Sequence, residues 1–244
     1  YKELWDSYHK ELYLMDTYYR RLHMDFRESL VSTLGMLDDL FKSAVVTADN
    51  LYKNWYLSEL NGSWNSLIKE SVADGFSLNK IPQQSDFYKN IVKPIANDSR
   101  VFVIISDALR YEVAVELTEK LLRETNGVAK LSAMQSVFPS ITKFGMAALL
   151  PHETLTITDT MKMLCDGMST EKTENRDKIL KRTNSKNCAV TYEVLLSMKQ
   201  SQRRELISGA DIVYIYHNTI DAVGDKANTE NQVFEACNDA IEEL

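Results

Sequence analysis

The sequence has 244 residues, of which 44% are hydrophobic and 26% charged, and its formal net charge is −7. This length and composition are typical of a globular protein with one large domain or two modest ones. The acidic balance offers no overall basic surface for a nucleic-acid backbone, and no run approaches the roughly 18 apolar residues of a membrane span. The three cysteines are widely separated and form no Cys-x-x-Cys pair, which indicates free thiols and a cytoplasmic location.

The first part of the chain predicts packed helices. Apolar and aromatic residues recur every three or four positions from Leu4 to Phe26, which places them on one helical face. A second helical pattern runs from Leu30 to about Leu60, where Asn61-Gly62 predicts a stop, and a third runs from Trp64 to Val72. We interpret residues 1–99 as a helical region, whose apolar stripe could alternatively bind a partner protein.

From about Arg100 the pattern changes to alternating strands and helices. Residues 101–105 are five consecutive apolar residues, typical of a strand buried on both faces of a parallel sheet, and helical spacing follows up to Glu124. This alternation predicts that residues 100–244 form an α/β domain with a mainly parallel sheet and flanking helices. Further strands are predicted at 129–137, 188–191 and 211–217, with a last helix from about Thr229.

Polar residues follow these strands at the edge where α/β sheets bind ligands. Asp107 stands at the carboxyl end of the first predicted strand, Thr142 opens a helix, and Asp221 and Asp225 follow the strand 211–217. Carboxylates are ligands for magnesium or manganese and also for zinc, and a helix N-terminus can hold phosphate beside a hydroxyl. Each residue also has an ordinary structural explanation. Asp107 and Thr142 would be helix N-caps, and Asp225 with Gly224 would form a turn.

Three neighbouring cationic or titratable side chains could contribute to such a site. His217 ends a buried strand, where it could approach a substrate or fix the loop that follows. Arg110 and Lys143 adjoin the two best candidates and could neutralise phosphate, or they could form ordinary salt bridges. His152, after Pro151, is expected to cap the end of the preceding helix.

Three longer segments resemble motifs of a known family. They are Ser106-Asp-Ala-Leu-Arg-Tyr-Glu112, Phe138-Pro-Ser-Ile-Thr-Lys-Phe-Gly-Met-Ala-Ala-Leu-Leu-Pro-His152 and Tyr214-Ile-Tyr-His-Asn-Thr-Ile-Asp-Ala-Val-Gly-Asp225. They resemble the PglZ family of bacterial BREX phage-defence systems, within the alkaline phosphatase superfamily. The resemblance spans most of residues 100–244, and the segments 52–55 and 84–88 are similar to what precedes that domain. It implies an alkaline-phosphatase-like fold, with other BREX proteins as partners.

The resemblance also implies a two-metal phosphotransfer centre. Asp107 would bind one metal, Thr142 would be a ligand of that metal and the nucleophile, and Asp221 would bind the other metal. Asp225 stands where related phosphodiesterases have a histidine, which leaves open whether the metals are zinc or manganese and magnesium. The implied activity is phosphatase or phosphodiesterase hydrolysis of a phosphoester, which could belong to a nucleic acid, through a phospho-threonine.

The sequence contains no Asp-His dipeptide, which the superfamily places after a further strand to complete both metal sites. We therefore expect a C-terminally truncated domain that binds metal weakly or not at all, is inactive by itself, and has a hydrophobic sheet edge. The alternative function is a non-catalytic structural module that docks other subunits of the defence complex. Other aspartate-based enzymes fit less well, because Leu109 stands where a haloacid dehalogenase requires a second aspartate.

Overall fold

The computed structural model describes residues 1–31, 38–73, 77–227 and 229–244. The chain forms two compact units, each assembled from segments that are distant in sequence. Unit 1 comprises Tyr1–Leu78, Ala108–Ser132 and Thr219–Leu244, and unit 2 comprises Asn79–Asp107 and Ala133–Asn218. The predicted division of the sequence into residues 1–99 and 100–244 remains a prediction. None of the helices in the described ranges has the length and apolar character needed to cross a membrane.

The regular elements follow one another along the chain in this order. The α-helices are α1 Lys2–Ser7, α2 Tyr13–Val31, α3 Asp38–Asp49, α4 Leu57–Ala73, α5 Lys93–Ala96, α6 Tyr111–Glu124, α7 Thr142–Ala148, α8 Thr173–Lys181, α9 Tyr192–Ser197, α10 Gln200–Leu206, α11 Thr219–Gly224 and α12 Glu230–Glu243. Segments of π-helix occur at Tyr8–Leu12, Asn50–Tyr56 and Tyr88–Val92, and a short 3₁₀ helix at Gln84–Asp86. The strands are β1 Val101–Ser106, β2 Leu155–Ile157, β3 Met163–Cys165, β4 Met168–Ser169, β5 Cys188–Thr191 and β6 Ile212–His217.

Unit 1 is helical, and its core lies between α2, α6 and α12. The predicted stop at Asn61-Gly62 is wrong, because α4 continues through Gly62 to Ala73. A glycine costs a helix only about 1 kcal/mol relative to alanine. The neighbouring turns bury Tyr56 and Ile68, and burial of this kind outweighs such a local penalty.

Unit 2 contains the predicted parallel sheet, with flanking helices, in the strand order β1-β6-β5. Strand β6 is buried along its whole length, and its residues pair in register with β1 and β5. The prediction for residues 101–105 is correct in position but wrong in burial, because Phe102 and Ile104 are 50% and 48% exposed. The mixed α/β architecture with a parallel sheet is consistent with the alkaline-phosphatase-like fold that the sequence resemblance implies.

The strand predicted at residues 129–137 does not form. The only described pairing there is an isolated parallel bridge between Gln83 and Gln135. Residues 129, 131, 133, 135 and 137 are less exposed than 130, 132 and 136, as in a half-buried strand, but in the described part of the chain only Gln135 has a ladder partner. Short extended structure predicted near residues 155–164 is present, as the antiparallel sheet β2-β3-β4.

Both faces of the parallel sheet carry apolar clusters in unit 2. One face packs β6 and β1 residues such as Tyr214 and Val103 against Met146, Leu150 and Ile179. The other face buries alternate residues of the strands against α9, α10 and the turn after them, in a cluster of Cys188, Val190, Ala210, Val213 and Ile215 with Tyr192, Leu195, Leu206 and Ile207. The three cysteines are buried free thiols, as the sequence indicates.

Candidate active site

The carboxyl ends of β1 and β6 lie side by side, in the register Ser106 opposite His217. Asp107 directly follows β1, as predicted, and its backbone N–H donates to the carbonyl oxygen of His217 at 2.9 Å. The Ser106 hydroxyl and His217 Nδ1 are hydrogen-bonded at 2.9 Å. One backbone and one side-chain hydrogen bond therefore join the strand ends that carry Asp107 and His217.

Asp107 does not cap the helix that follows it. The N-cap position of α6 belongs to Arg110, and the intervening Ala108 has a φ of 61°, in the left-handed region. Such a φ is uncommon outside glycine. The carboxylate of Asp107 thus stands at the end of β1, in a turn, and is half-buried.

His217 is enclosed within unit 2, with an exposed fraction of 1%. The His217 ring contacts the Tyr192 ring edge-on, with centroids 5.0 Å apart. The Nδ1 atom of His217 is hydrogen-bonded to the Ser106 hydroxyl. These contacts fix the His217 ring against β1 and α9, and the choice between a substrate contact and a structural role for His217 stays a prediction.

Thr142 is the first residue of α7, and Ile141 occupies the N-cap position. The N-cap alternative for Thr142 is therefore wrong, and its side chain is exposed at the start of the helix. At the other end of α7, the Tyr214 hydroxyl donates to the carbonyl of Leu149 at 2.7 Å. The His152 Nδ1 atom lies 2.7 Å from the carbonyl oxygen of Leu150, as expected of a helix-end cap.

The segment that leads into α7 is held by a contact that the sequence did not reveal. The Val137 N–H donates to Gln84 Oε1 at 3.1 Å. A Cβ atom added at Gly145 would lie 3.3 Å from Gln84 Nε2, so the amide side chain packs closely on the helix backbone. Gln84 therefore contacts both sides of the segment that carries Thr142. Next to Thr142, the Lys143 ammonium lies 5.5 Å from the ring centroid of the buried Phe144.

The other predicted residues lie in unit 1. Asp221 is half-buried in the first turn of α11, which starts two residues after β6. Asp225 is exposed in the turn after α11, and its N–H donates to the Asp221 carbonyl at 2.9 Å, as the turn alternative predicts. The Arg110 guanidinium lies 5.3 Å from the ring centroid of Phe234.

The described residues do not complete a metal site. Nowhere in these ranges do three or more histidine, cysteine, aspartate or glutamate side chains come together in a geometry that could hold a metal ion. Catalytic zinc sites use three protein ligands and structural ones four, so Asp107 needs further ligands to form a zinc site.

A buried ion-pair network in unit 1 has no counterpart in the sequence-based predictions. Arg20 is 1% exposed and donates to Glu112 through Nε and Nη2, to Glu116 through Nη2 and to Asn238 through Nη1. Burial disfavours the charged form, but the hydrogen bonds and charges of Glu112 and Glu116 outweigh it and raise the pKa of Arg20. No sequence signal distinguishes Arg20 from an ordinary solvated helix residue.

In the same unit, the Asp16 carboxylate accepts hydrogen bonds from two tyrosine hydroxyls. The Tyr8 hydroxyl donates at 2.8 Å and the Tyr52 hydroxyl at 2.6 Å. Burial, together with the nearby Asp16 carboxylate, raises the pKa of both tyrosines well above 10. Tyr8 and Tyr52 each belong to a π-helical segment, so the two irregular turns meet on one carboxylate.

A family model and two curated proteins are similar to this chain. A family model described as the BREX system PglZ alkaline phosphatase-like domain matches residues 87–244. The chain is 42% identical over 248 residues to the alkaline phosphatase-like protein BrxZ of Escherichia coli O9:H4 (strain HS), over 98% of the chain. It is 35% identical over 243 residues to the alkaline phosphatase-like protein PglZ of Bacillus cereus (strain H3081.97), over 99% of the chain. The chain spans about 28% of the length of each of these curated relatives.

Proposed function

Because the chain belongs to the PglZ family of alkaline phosphatase-like domains, we propose that it is part of a metal-dependent phosphoester hydrolase of a bacterial BREX anti-phage defence system. The observation that supports this most directly is the placement of Asp107 at the joined carboxyl ends of β1 and β6. This is the sheet edge at which α/β enzymes bind their ligands. The matched region also contains Thr142 and Asp221.

In this proposal Thr142 is the nucleophile. Its hydroxyl oxygen forms a bond to phosphorus, the bond from phosphorus to the ester oxygen breaks, and the alcohol leaves with a proton. A water molecule then displaces the threonine oxygen from phosphorus and releases phosphate or a phosphomonoester, and Thr142 recovers its proton. Lys143, next to Thr142, would neutralise charge on the phosphoryl oxygens, and the role of Arg110 stays a prediction from the sequence.

The divalent metals of this proposal, zinc or manganese and magnesium, need more ligands than the described residues supply. Asp107, with Thr142, would contribute to one metal site, and Asp221, with Asp225, to the other. The remaining ligands would come from parts of the relatives that this chain does not span. Bound metal would favour the ionised hydroxyl and offset negative charge. For this reason we expect the 244-residue chain by itself, called the short chain below, to be inactive.

The decisive experiment uses the Escherichia coli relative with its matching portion replaced by this chain. Hydrolysis of a generic phosphodiester and a phosphomonoester is measured with zinc or manganese. We expect activity in the chimera, none in the short chain, and a loss of at least about 10³-fold in Thr142→Ala. Thr173→Ala is the matched control, because Thr173 is likewise the first residue of a helix, α8, in unit 2, and this variant should keep full activity.

A non-catalytic role is the second candidate, and Asp225 is the observation that favours it, because a histidine is usual there in related phosphodiesterases. In that role the chain would dock other BREX proteins. A folded, metal-loaded chimera that hydrolyses neither substrate would support docking and contradict hydrolysis. Activity that survives Thr142→Ala would contradict the assigned nucleophile.

A further inference from the structure

The hydroxyl of Tyr216 is a buried polar group that has no hydrogen-bond partner among the described residues. Tyr216 is 6% exposed and is the last residue but one of β6. Burial raises the pKa of Tyr216 above its ordinary value of 10.0, despite the nearby positive charge of Arg176, so the hydroxyl keeps its proton. A buried donor without an acceptor costs free energy, which indicates that this hydroxyl serves a purpose other than stability.

The Arg176 side chain is half-buried beside this hydroxyl. Its Cζ atom lies 4.5 Å from the ring centroid of Tyr216, and its Nε donates to the Thr170 carbonyl at 2.6 Å. Its Nη2 donates to the Glu171 carbonyl at 3.5 Å. The nearby carboxylates of Glu171 and Asp177 pair with lysines, and no described carboxylate forms an ion pair with Arg176. A guanidinium has donors only, so Arg176 cannot accept the hydroxyl proton of Tyr216.

Helix α8, which carries Arg176, runs antiparallel to β6. Arg176 is its fourth residue and contacts Tyr216 near the carboxyl end of the strand. Asn184, after the helix, donates a side-chain hydrogen bond to Asp211, just before the strand. The first half of α8 therefore lies toward the edge at which β1 ends in Asp107, where α/β sheets bind ligands.

Helix α7, which begins with Thr142, has the same direction and packs on the same face of the sheet. The residues that follow it, 150–152, line a cavity together with Ile212 at the start of β6. Met146 of α7 belongs to the same apolar cluster as Tyr216. The start of α7 therefore points to the carboxyl edge, so Thr142 lies on the face and toward the edge that carry the hydroxyl of Tyr216.

We propose that Tyr216 and Arg176 form an anion-binding pair that holds the phosphoryl group of the phosphoester substrate beside Thr142. The Tyr216 hydroxyl would donate to one phosphoryl oxygen. Arg176 would donate to another through the N–H groups that do not bond to Thr170 and Glu171. The aromatic ring behind the guanidinium fixes its position and excludes water, which strengthens these hydrogen bonds. The identity of the substrate rests on the proposed function, whereas binding of an anion by the pair can be measured without hydrolysis.

Calorimetric titration with inorganic phosphate, at constant ionic strength, tests the pair in the chimera. We expect Tyr216→Phe and Arg176→Lys each to weaken phosphate binding by about 10-fold or more, because each removes hydrogen bonds to a charged group. Tyr214→Phe and Arg182→Lys are the matched controls. The Tyr214 hydroxyl donates to a backbone carbonyl on the same face, and Arg182 follows α8 with a side chain 42% exposed. Both controls should keep the affinity for phosphate.

Two results of this titration would overturn the proposal. One is an affinity that neither Tyr216→Phe nor Arg176→Lys changes, and the other is a folded chimera that binds no phosphate. The short chain contains both residues, so the same titration of the short chain supplies the measurement if the chimera does not fold.

Thermal unfolding of the short chain without phosphate distinguishes this role from a structural one. Tyr216→Phe removes an unsatisfied hydroxyl and should leave the thermal midpoint unchanged or raise it slightly. Tyr214→Phe removes a hydroxyl that has a partner and should lower the midpoint. A clear loss of stability in Tyr216→Phe, with unchanged affinity for phosphate, would assign the hydroxyl a structural role and contradict the proposal.

Hydrolysis by the chimera separates failure of this inference from failure of the proposed function. We expect Tyr216→Phe and Arg176→Lys to raise KM by about 10-fold, whereas Thr142→Ala abolishes activity. If activity depends on Thr142 but the two variants change neither KM nor phosphate affinity, the anion-binding pair is wrong and the proposed function stands. If phosphate binding depends on the pair but the folded chimera hydrolyses neither substrate, the pair stands and the proposed function is wrong.

Discussion

Arg20 of α2 and Glu112 of α6 form a buried ion pair in unit 1, in which Arg20 Nη2 lies 3.0 Å from Glu112 Oε2 and the side chains are 2% and 1% exposed. Glu112 is also the last residue of the motif that carries Asp107. The network thus ties the start of α6 to α2 by a pair of charges that water does not screen.

Removal of one partner of this pair should destabilise the chain strongly. We expect Arg20→Ala to lower the free energy of unfolding by about 3–5 kcal/mol, because it leaves Glu112 buried and uncompensated. Arg21→Ala is the matched control on the same helix. The Arg21 side chain is half exposed, and its Nη2 atom lies 3.6 Å from Glu116 Oε2. Its replacement should therefore lower the free energy of unfolding by less than about 1 kcal/mol. Urea unfolding measures both, and equal effects would show that the buried pair is not a source of stability.

Replacement of Gly62 by alanine should increase the stability of the chain. It lies inside α4, and an added Cβ would meet nothing within 4 Å. We expect Gly62→Ala to stabilise the chain by about 0.5–1 kcal/mol in thermal or urea unfolding. Gly167 has equally open space but a φ of 79°, so Gly167→Ala should be destabilising instead. Destabilisation by Gly62→Ala would indicate that the chain is not helical at this position.

The tyrosines bound to Asp16 should make stability fall at alkaline pH. Burial and the hydrogen bond to Asp16 raise the pKa of Tyr52 above its ordinary value of 10.0. The folded state therefore keeps this proton after the unfolded state loses it, so the contribution is complete below pH 10 and decreases as the pH rises above it.

Tyr52→Phe isolates this contribution. We expect a loss of about 1.5–3 kcal/mol at pH 8, because the hydroxyl donates to a charged carboxylate, and a smaller difference from the unmodified chain at pH 11. Urea unfolding at the two pH values measures the change. Tyr18→Phe serves as the control, because Tyr18 is 61% exposed and its replacement should change the free energy of unfolding little. A constant effect of Tyr52→Phe across this range would contradict the prediction.

The short chain should bind zinc weakly. A catalytic zinc site needs three protein ligands, and nowhere in the described ranges do three suitable side chains come together. Calorimetric titration with zinc should therefore show no tight stoichiometric binding. In the chimera we expect binding that Asp107→Ala weakens and that Asp98→Ala, at an exposed position before β1, leaves unchanged. Tight binding by the short chain that Asp107→Ala abolishes would overturn both this expectation and the proposed incomplete site.

The sequence by itself determined the parallel strands β1, β5 and β6 and the residues that follow them. The apolar runs of β1 and β6 are five residues long and are followed by polar residues, whereas β5 is a short strand of four residues, Cys188–Thr191. The position of Asp107 at a strand end therefore follows from the sequence alone, and the motifs around it indicate the family. These signals are local, which is why sequence reasoning captured them.

Only the tertiary structure decided how distant residues are combined. The continuity of α4 through Gly62 depends on burial of its neighbouring turns, and the predicted strand at residues 129–137 is reduced to one bridge because only Gln135 has a ladder partner among the described residues. The pairing of Arg20 with Glu112 and the contact of Gln84 with Gly145 join residues far apart in sequence. Such contacts leave no periodic pattern, because their energy comes from desolvation and geometry that exist only after the chain has folded.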